Sequence, residues 1–516
     1  MKNPTWGWHG LKKILAPPVN SGIHWKFVSN SNDLLMSSLI QLGKQSVVYG
    51  FGHFITRFIN FLLLPLYTHR LSPDEYGVVS LLYAFIAFAN ILFSHGMDVA
   101  YMRYQGLEKT DENKKTIFST TFISLLISSL ILGGLMFIFS GGISSLTVGS
   151  QYTHLIRLAI GILAFDTFIA LPKVLLRLEN KPYHFVSIEL SHVMIVLGLN
   201  IWWIGILQLS IEYIFLSNLI ASGTAFLLIL PKIIKTMELR FSPHWWKGLF
   251  IFALPYIPSG IASIFNELID RYMIKWLVDE KAVGLYSASY RLGIFMLIIV
   301  MAFKFAWQPY YLKQADKEDA PQLFARTGTY FMLVTSYIFL ILTFFIKYLV
   351  QIPIGSRPII SPVYWDSLSI VPIVLLAYIF LGAFLVQLPG IYIKKKNGWI
   401  PVLNGAAALI NIIINFLLIP RFGYKSAAVA TLIGYCIMVI LQYFVIIRFY
   451  PLTWEWKRLA RIILITGGLF LAWKFLGESW VIGFITLCLY PTLLWVTRFF
   501  APREKQFIQS YIPFKK

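Results

Sequence analysis

The 516-residue chain is 58% hydrophobic and only 13% charged, against about 25% charged in an ordinary soluble domain. Apolar runs of about 18 or more residues recur along it without the alternation of barrel strands, which excludes a soluble domain and a β-barrel and predicts an all-α polytopic membrane protein. The formal net charge of +21 is dispersed over many segments rather than gathered in one patch, so a nucleic-acid partner is not expected.

In chain order, residues 1–44 lack the apolar core and cleavage site of a signal peptide and are expected to form a partly disordered cytoplasmic extension. Met36 is an alternative start. About fourteen spans follow, at 45–68, 76–96, 117–139, 155–175, 185–207, 211–230, 249–274, 284–308, 326–346, 367–392, 400–420, 426–447, 458–476 and 479–499. Most lysines and arginines fall in the alternate loops that include "GLEKTDENKKT", "IKKKNGW" and the 500–516 tail. The positive-inside rule makes that side, and both termini, cytoplasmic. Cys436 and Cys488 lie in apolar runs, and no metal-ligand, phosphate-loop or nucleophile-elbow motif stands in a loop, so no cofactor is implied. The loops are too short for a soluble catalytic domain.

Polar residues inside spans are functional candidates, because a charge at the bilayer centre costs at least about 2.5–3.5 kcal/mol. In span 1, His53, Thr56, Arg57 and Asn60 share one helical face, and a water-filled cavity facing them is one reading. The bland alternative is a polar face binding a neighbouring helix. Span 4 carries Asp166 and Lys173, the latter able to reach the interface, and span 5 carries Glu189 and His192 on one face. Near the end of span 7, Glu267 and Arg271 are spaced to form an ion pair, with Asn266 and Asp270 on the adjoining face. Span 8 places Ser287, Tyr290 and Arg291 together. Asn404, Asn411 and Asn415 form a stripe in span 11 that suits helix packing better than a ligand site.

"EYGVVSLLYAF" and "AVGLYSASYRL" align at an offset of 207 residues (77 to 284, 80 to 287, 83 to 290), matching Gly with Gly, Ser with Ser and Tyr with Tyr. Such a repeat predicts two parallel, pseudo-symmetric six-helix lobes about an axis along the membrane normal. They would be 45–230 and 249–447, joined by a linker at 231–248, with 458–499 as two appended spans.

"NFLLLPLYTHRLSPDEYGVVSLL" (60–82), "GMDVAYMRY" (96–104) and "ALPYIPSGIASIFNELIDRYMIKWLVDEKAVGLYSASYRLG" (253–293) closely resemble segments of Wzx-like polysaccharide flippases of the MOP (MATE-like) superfamily. The resemblance implies a MATE-like fold in the bacterial cytoplasmic membrane and no enzymatic activity. Its implied cargo is an undecaprenyl-pyrophosphate-linked oligosaccharide (an O-antigen, capsule or exopolysaccharide repeat unit), moved from inner to outer leaflet by alternating access. It further implies Arg57, Arg291, Arg271 and Arg103 as ligands of the anionic head group, guanidinium being suited to phosphate oxygens. The cavity lining would include His53, Thr56, Asn60, Ser287, Tyr290 and Tyr83, with Trp307 a further aromatic able to stack on sugars. Glu189, His192, Asp166 and Asp270 are candidates for H+ or Na+ coupling, and the isoprenoid tail is expected in the bilayer beside the cavity, along a groove at the last two spans. Polymerase and glycosyltransferases are the implied partners of a monomer. Competing readings are a MATE-type cation antiporter, expected to carry a carboxylate where span 1 has Arg57, and a membrane-embedded polymerase or ligase, expected to carry a large outer loop.

Overall fold

The computed structural model describes residues 59, 61–502 and 504–506. His53, Thr56, Arg57, Asn60 and the 1–44 extension therefore lie outside the described residues. Span 1 is represented by helix α1 (residues 61–70). The remainder of the first lobe comprises α2 (Pro73–Ser94), α3 (Met97–Leu107), α4 (Asp111–Ile138), a short α5 (Ser140–Thr147), α6 (Thr153–Leu178), α7 (Pro182–Asn200) and α8 (Glu212–Thr236). The second lobe comprises α9 (Pro243–Ala253), α10 (Tyr256–Leu277), α11 (Glu280–Leu292), α12 (Ile294–Gln314), α13 (Ala320–Gln351), α14 (Val371–Ile393), α15 (Trp399–Phe422) and α16 (Ser426–Ile446). Two more helices, α17 (Trp456–Phe475) and α18 (Trp480–Val496), pack on α13 and on each other.

Each predicted span from the second onward has helical counterparts, and eleven helices among the described residues are long and apolar enough to cross a membrane. Two spans are broken where the sequence suggests one helix each. Span 7 is α9 plus α10, because Pro255 and Pro258 remove two backbone donors and crowd the preceding turn. Span 8 is α11 plus α12, divided at Gly293. There α14 approaches so closely that a Cβ would lie 2.5 Å from Val374 Cγ1. The segment 231–248 is helical at both ends, since α8 runs to Thr236 and α9 begins at Pro243.

The corner between α1 and α2 shows why "RLSPDEYG" folds as it does. Ser72 caps α2: its side chain accepts from the Glu75 N–H, and the Glu75 carboxylate accepts from the Ser72 N–H at 2.8 Å. Pro73 occupies the first turn, where its missing donor costs nothing. Such a box is worth about 1 kcal/mol. Tyr67 donates to Asn200 Oδ1 at 2.9 Å and Asn200 donates to Ser217 Oγ at 2.6 Å. One buried amide thus ties α1, α7 and α8 together without a charge.

Candidate functional site

Helices α2 and α11 cross through two glycines that are equivalent in the repeat. A Cβ on Gly77 would lie 1.9 Å from the Glu280 carbonyl oxygen, and one on Gly284 would lie 1.8 Å from that of Pro73. The contact is reciprocal, since Pro73 and Glu280 are related by the same offset as Gly77 and Gly284. No side chain fits, so backbone meets backbone. The pseudo-two-fold axis read from the repeat passes through this crossing.

Immediately beyond the crossing the two helices diverge around a cavity of about 260 Å³. Its walls include the repeat-matched Ser80 and Ser287, Tyr83 and Tyr290, together with Tyr76, Tyr378, Glu267, Arg271 and Arg291. Arg271 and Arg291, predicted from separate spans, thus share one cavity. The Arg291 guanidinium donates to Tyr76 Oη at 3.4 Å. The Arg271 guanidinium lies 5.2 Å from the centre of the Tyr290 ring and donates to the Glu267 carbonyl oxygen at 3.0 Å. Its ion-pair partner is Asp270, at 3.5 Å, rather than the Glu267 carboxylate that the four-residue spacing suggests. Asp270 points away from solvent, 2% exposed, and accepts hydrogen bonds from Tyr286 and from the Arg271 N–H. The lining therefore holds two guanidinium groups and one carboxylate, with Asp270 behind Arg271.

The other predicted residues distribute elsewhere. Arg103 is exposed on α3 and stacks over Phe252, 4.4 Å from the ring centre. Its neighbour Tyr104 lines a second, larger space of about 760 Å³ between α3, the α9–α10 break and the start of α15. Trp307 does not line the arginine cavity. It is 4% exposed, stacked among Phe303, Tyr310, Tyr311 and Phe324. The coupling candidates fall into three places. Ser222 donates to Asp166 Oδ1 at 2.7 Å and lies 3.3 Å from His192 Nε2, joining α6, α7 and α8. Glu189 pairs instead with Lys173, at 2.6 Å, so Lys173 turns to the neighbouring helix rather than to the interface. Asp270 belongs to the other lobe. Asn411 and Asn415 are buried and bonded to each other at 2.8 Å, as packing residues should be.

Tyr76, Ser80 and Tyr378 are cavity residues that were not singled out from the sequence. Ser80 was visible as a repeat match, and Tyr76 as part of "EYG". Tyr378 lies in an unbroken apolar run, "VLLAYIFLG", where nothing distinguishes it.

A family model described as polysaccharide biosynthesis protein matches residues 42–314. A putative protein of the Lsg locus of Haemophilus influenzae is 24% identical over 276 residues, covering 52% of this chain and 65% of the relative. An uncharacterized membrane protein of the same organism is 22% identical over 280 residues, with the same two coverages. The chain thus spans just under two thirds of the length of the curated relatives it matches. Among solved structures, the lipid II flippase MurJ in an inward closed conformation superposes with a TM-score of 0.71 at 16% identity, covering 87% of this chain and 99% of that one. An inward-facing multidrug resistance MATE family transporter of the MOP superfamily gives 0.60 at 14% identity, covering 76% and 93%. At such identities the likeness establishes the fold. With the family match extending over more than half of its length, the chain belongs to the polysaccharide biosynthesis protein family and carries the MOP superfamily fold.

Proposed function

We propose that this protein is a flippase for an undecaprenyl-pyrophosphate-linked oligosaccharide, with Arg271 and Arg291 receiving the pyrophosphate as the two lobes alternate access. The observation that carries this reading is the convergence of both guanidinium groups on one inter-lobe cavity among phenol and serine hydroxyls. A guanidinium in a low-dielectric site gains from each opposite charge brought within reach, and Asp270 supplies one such charge beside Arg271. A pyrophosphate supplies two such charges and oxygens that guanidinium grips in pairs. Two guanidinium groups in the lining differ from the acidic cavity expected of a cation antiporter. The protein then acts as a transporter rather than an enzyme, in the cytoplasmic membrane with both termini inside, working beside a polymerase and glycosyltransferases. Arg57 would add a third cation from span 1, and Arg103 would meet the substrate at the cytoplasmic mouth.

Coupling to H+ or Na+ is assigned to the Asp166–Ser222–His192 group and to Asp270, each a titratable side chain held inside a lobe. Transport in proteoliposomes under imposed pH and sodium gradients tests this. The central test is Arg271→Ala and Arg291→Ala, singly and together. Each is expected to weaken inorganic pyrophosphate binding to purified protein about tenfold, corresponding to about 1.4 kcal/mol. The double variant should accumulate lipid-linked oligosaccharide on the inner leaflet. Unchanged binding and export in the double variant would refute the assignment.

A further inference from the structure

Beside the arginine cavity lies a second recess, about 260 Å³, between α2 and α10 and closed at one end by α5. Its walls are the side chains of Phe85, Phe88, Ile264, Phe265, Leu268 and Trp276, with the Phe88 and Phe265 rings stacked at 5.8 Å. The polar atoms that border it are committed elsewhere. Tyr272 donates to the Leu81 carbonyl at 2.9 Å, Trp276 Nε1 to Leu146 at 3.2 Å and Lys275 to Thr147 at 2.7 Å. What remains facing the recess is apolar. Two residues, Ala84 and Leu268, belong to the walls of both spaces, so the apolar recess and the two-guanidinium cavity adjoin across one small side chain and one leucine. Helices α17 and α18, by contrast, pack on α13 and contribute nothing to either wall.

We infer that the α2–α10 recess receives the first isoprene units of the lipid carrier while its pyrophosphate lies between Arg271 and Arg291. An anionic head joined directly to an apolar chain is the molecule whose two halves match these adjoining surfaces. This inference rests on the proposed head-group site. It assigns the tail to the α2–α10 seam rather than to a groove at α17–α18. Each methylene buried adds favourable transfer out of water, so even a short isoprenoid should register as a clear gain in affinity.

The experiment uses full-length protein in lipid nanodiscs and two soluble probes, inorganic pyrophosphate and farnesyl pyrophosphate, titrated against wild type, Phe88→Trp and Ile264→Trp, two positions that line the recess and not the arginine cavity. Wild type is expected to bind farnesyl pyrophosphate at least tenfold more tightly than pyrophosphate. Either tryptophan should cut that advantage below threefold while leaving pyrophosphate affinity unchanged, which also certifies that the variant is folded. Equal affinities in wild type would overturn the recess as a tail site. So would an advantage that survives in both variants, which would report partition into the bilayer or a tail bound along α17–α18. Absence of pyrophosphate binding to wild type would instead remove the head-group reading, and the recess with it.

Discussion

Two of the contacts between the lobes are built on opposite principles. Where α2 meets α11, Gly77 and Gly284 bring backbone against backbone, and the contact is the same seen from either lobe. Where α3 meets α9, the joint is made of side chains: Tyr104 packs edge-on against Trp245 and Phe252, and Arg103 lies over Phe252. Gly96 offers a close approach there too, with a Cβ 2.7 Å from the Ala253 carbonyl oxygen, but nothing reciprocates it. A space of about 760 Å³ borders this second joint, whereas the first closes directly over the smaller arginine cavity. The difference teaches which contact is discrete and which is graded. A backbone crossing is either made or lost, while stacked rings can slide and repack into neighbouring space.

Breaking the crossing should have the largest effect. Gly77→Ala and Gly284→Ala each place a methyl group inside a carbonyl's radius, and overpacking of this kind typically costs about 1–3 kcal/mol. We expect a lower unfolding temperature and a joint held ajar. A cysteine placed at Ser80 should be labelled by a membrane-impermeant maleimide faster in either alanine variant than beside native glycines. Equal labelling would mean that the helices part there anyway.

The aromatic joint should respond more mildly. Tyr104→Ala and Phe252→Ala remove ring pairs worth about 0.5–1.5 kcal/mol and, for Phe252, a cation–π contact worth about 0.5–1 kcal/mol at an exposed site. These variants should remain folded and shift the lobes toward opening at α3–α9, seen as faster labelling of a cysteine at Ser259. Should Tyr104→Ala match Gly77→Ala in thermal cost, the contrast between the joints fails. The smallest change is expected for Ser72→Ala, which loses the cap of α2 but not the crossing. It should cost about 1 kcal/mol, measured by thermal unfolding, and leave labelling at Ser80 as in the wild type.

Much of the architecture was legible because apolar length and period speak for themselves in a membrane chain: α4, α13 and α16 fall where their hydropathy places them. The breaks in spans 7 and 8 were less so. Two prolines and one glycine can kink, break or merely decorate a span, and which happens depends on a neighbour such as Val374 that sequence spacing does not reveal. The same limit applies to charge. Spacing four apart suggested Glu267 for Arg271, yet the guanidinium turned to buried Asp270, since a carboxylate out of solvent gains more from a cation than one already hydrated. Arg271 and Arg291 were individually conspicuous because charges in spans are rare. Their meeting in one cavity depended on the crossing that the "G-x-x-S-x-x-Y" repeat only hinted at. Tyr378, uncharged among leucines and isoleucines, offered no such signal.

The on-axis crossing has a consequence for genetics. Most steric lesions in a protein can be suppressed by trimming the side chain they strike. The three heavy atoms nearest a methyl group at Gly77 are all main chain, from Glu280 and Gly284, and no residue is smaller than glycine. A reversion screen begun from Gly77→Ala should therefore yield true revertants, or second-site changes that move whole helices, and no compensating partner across the interface.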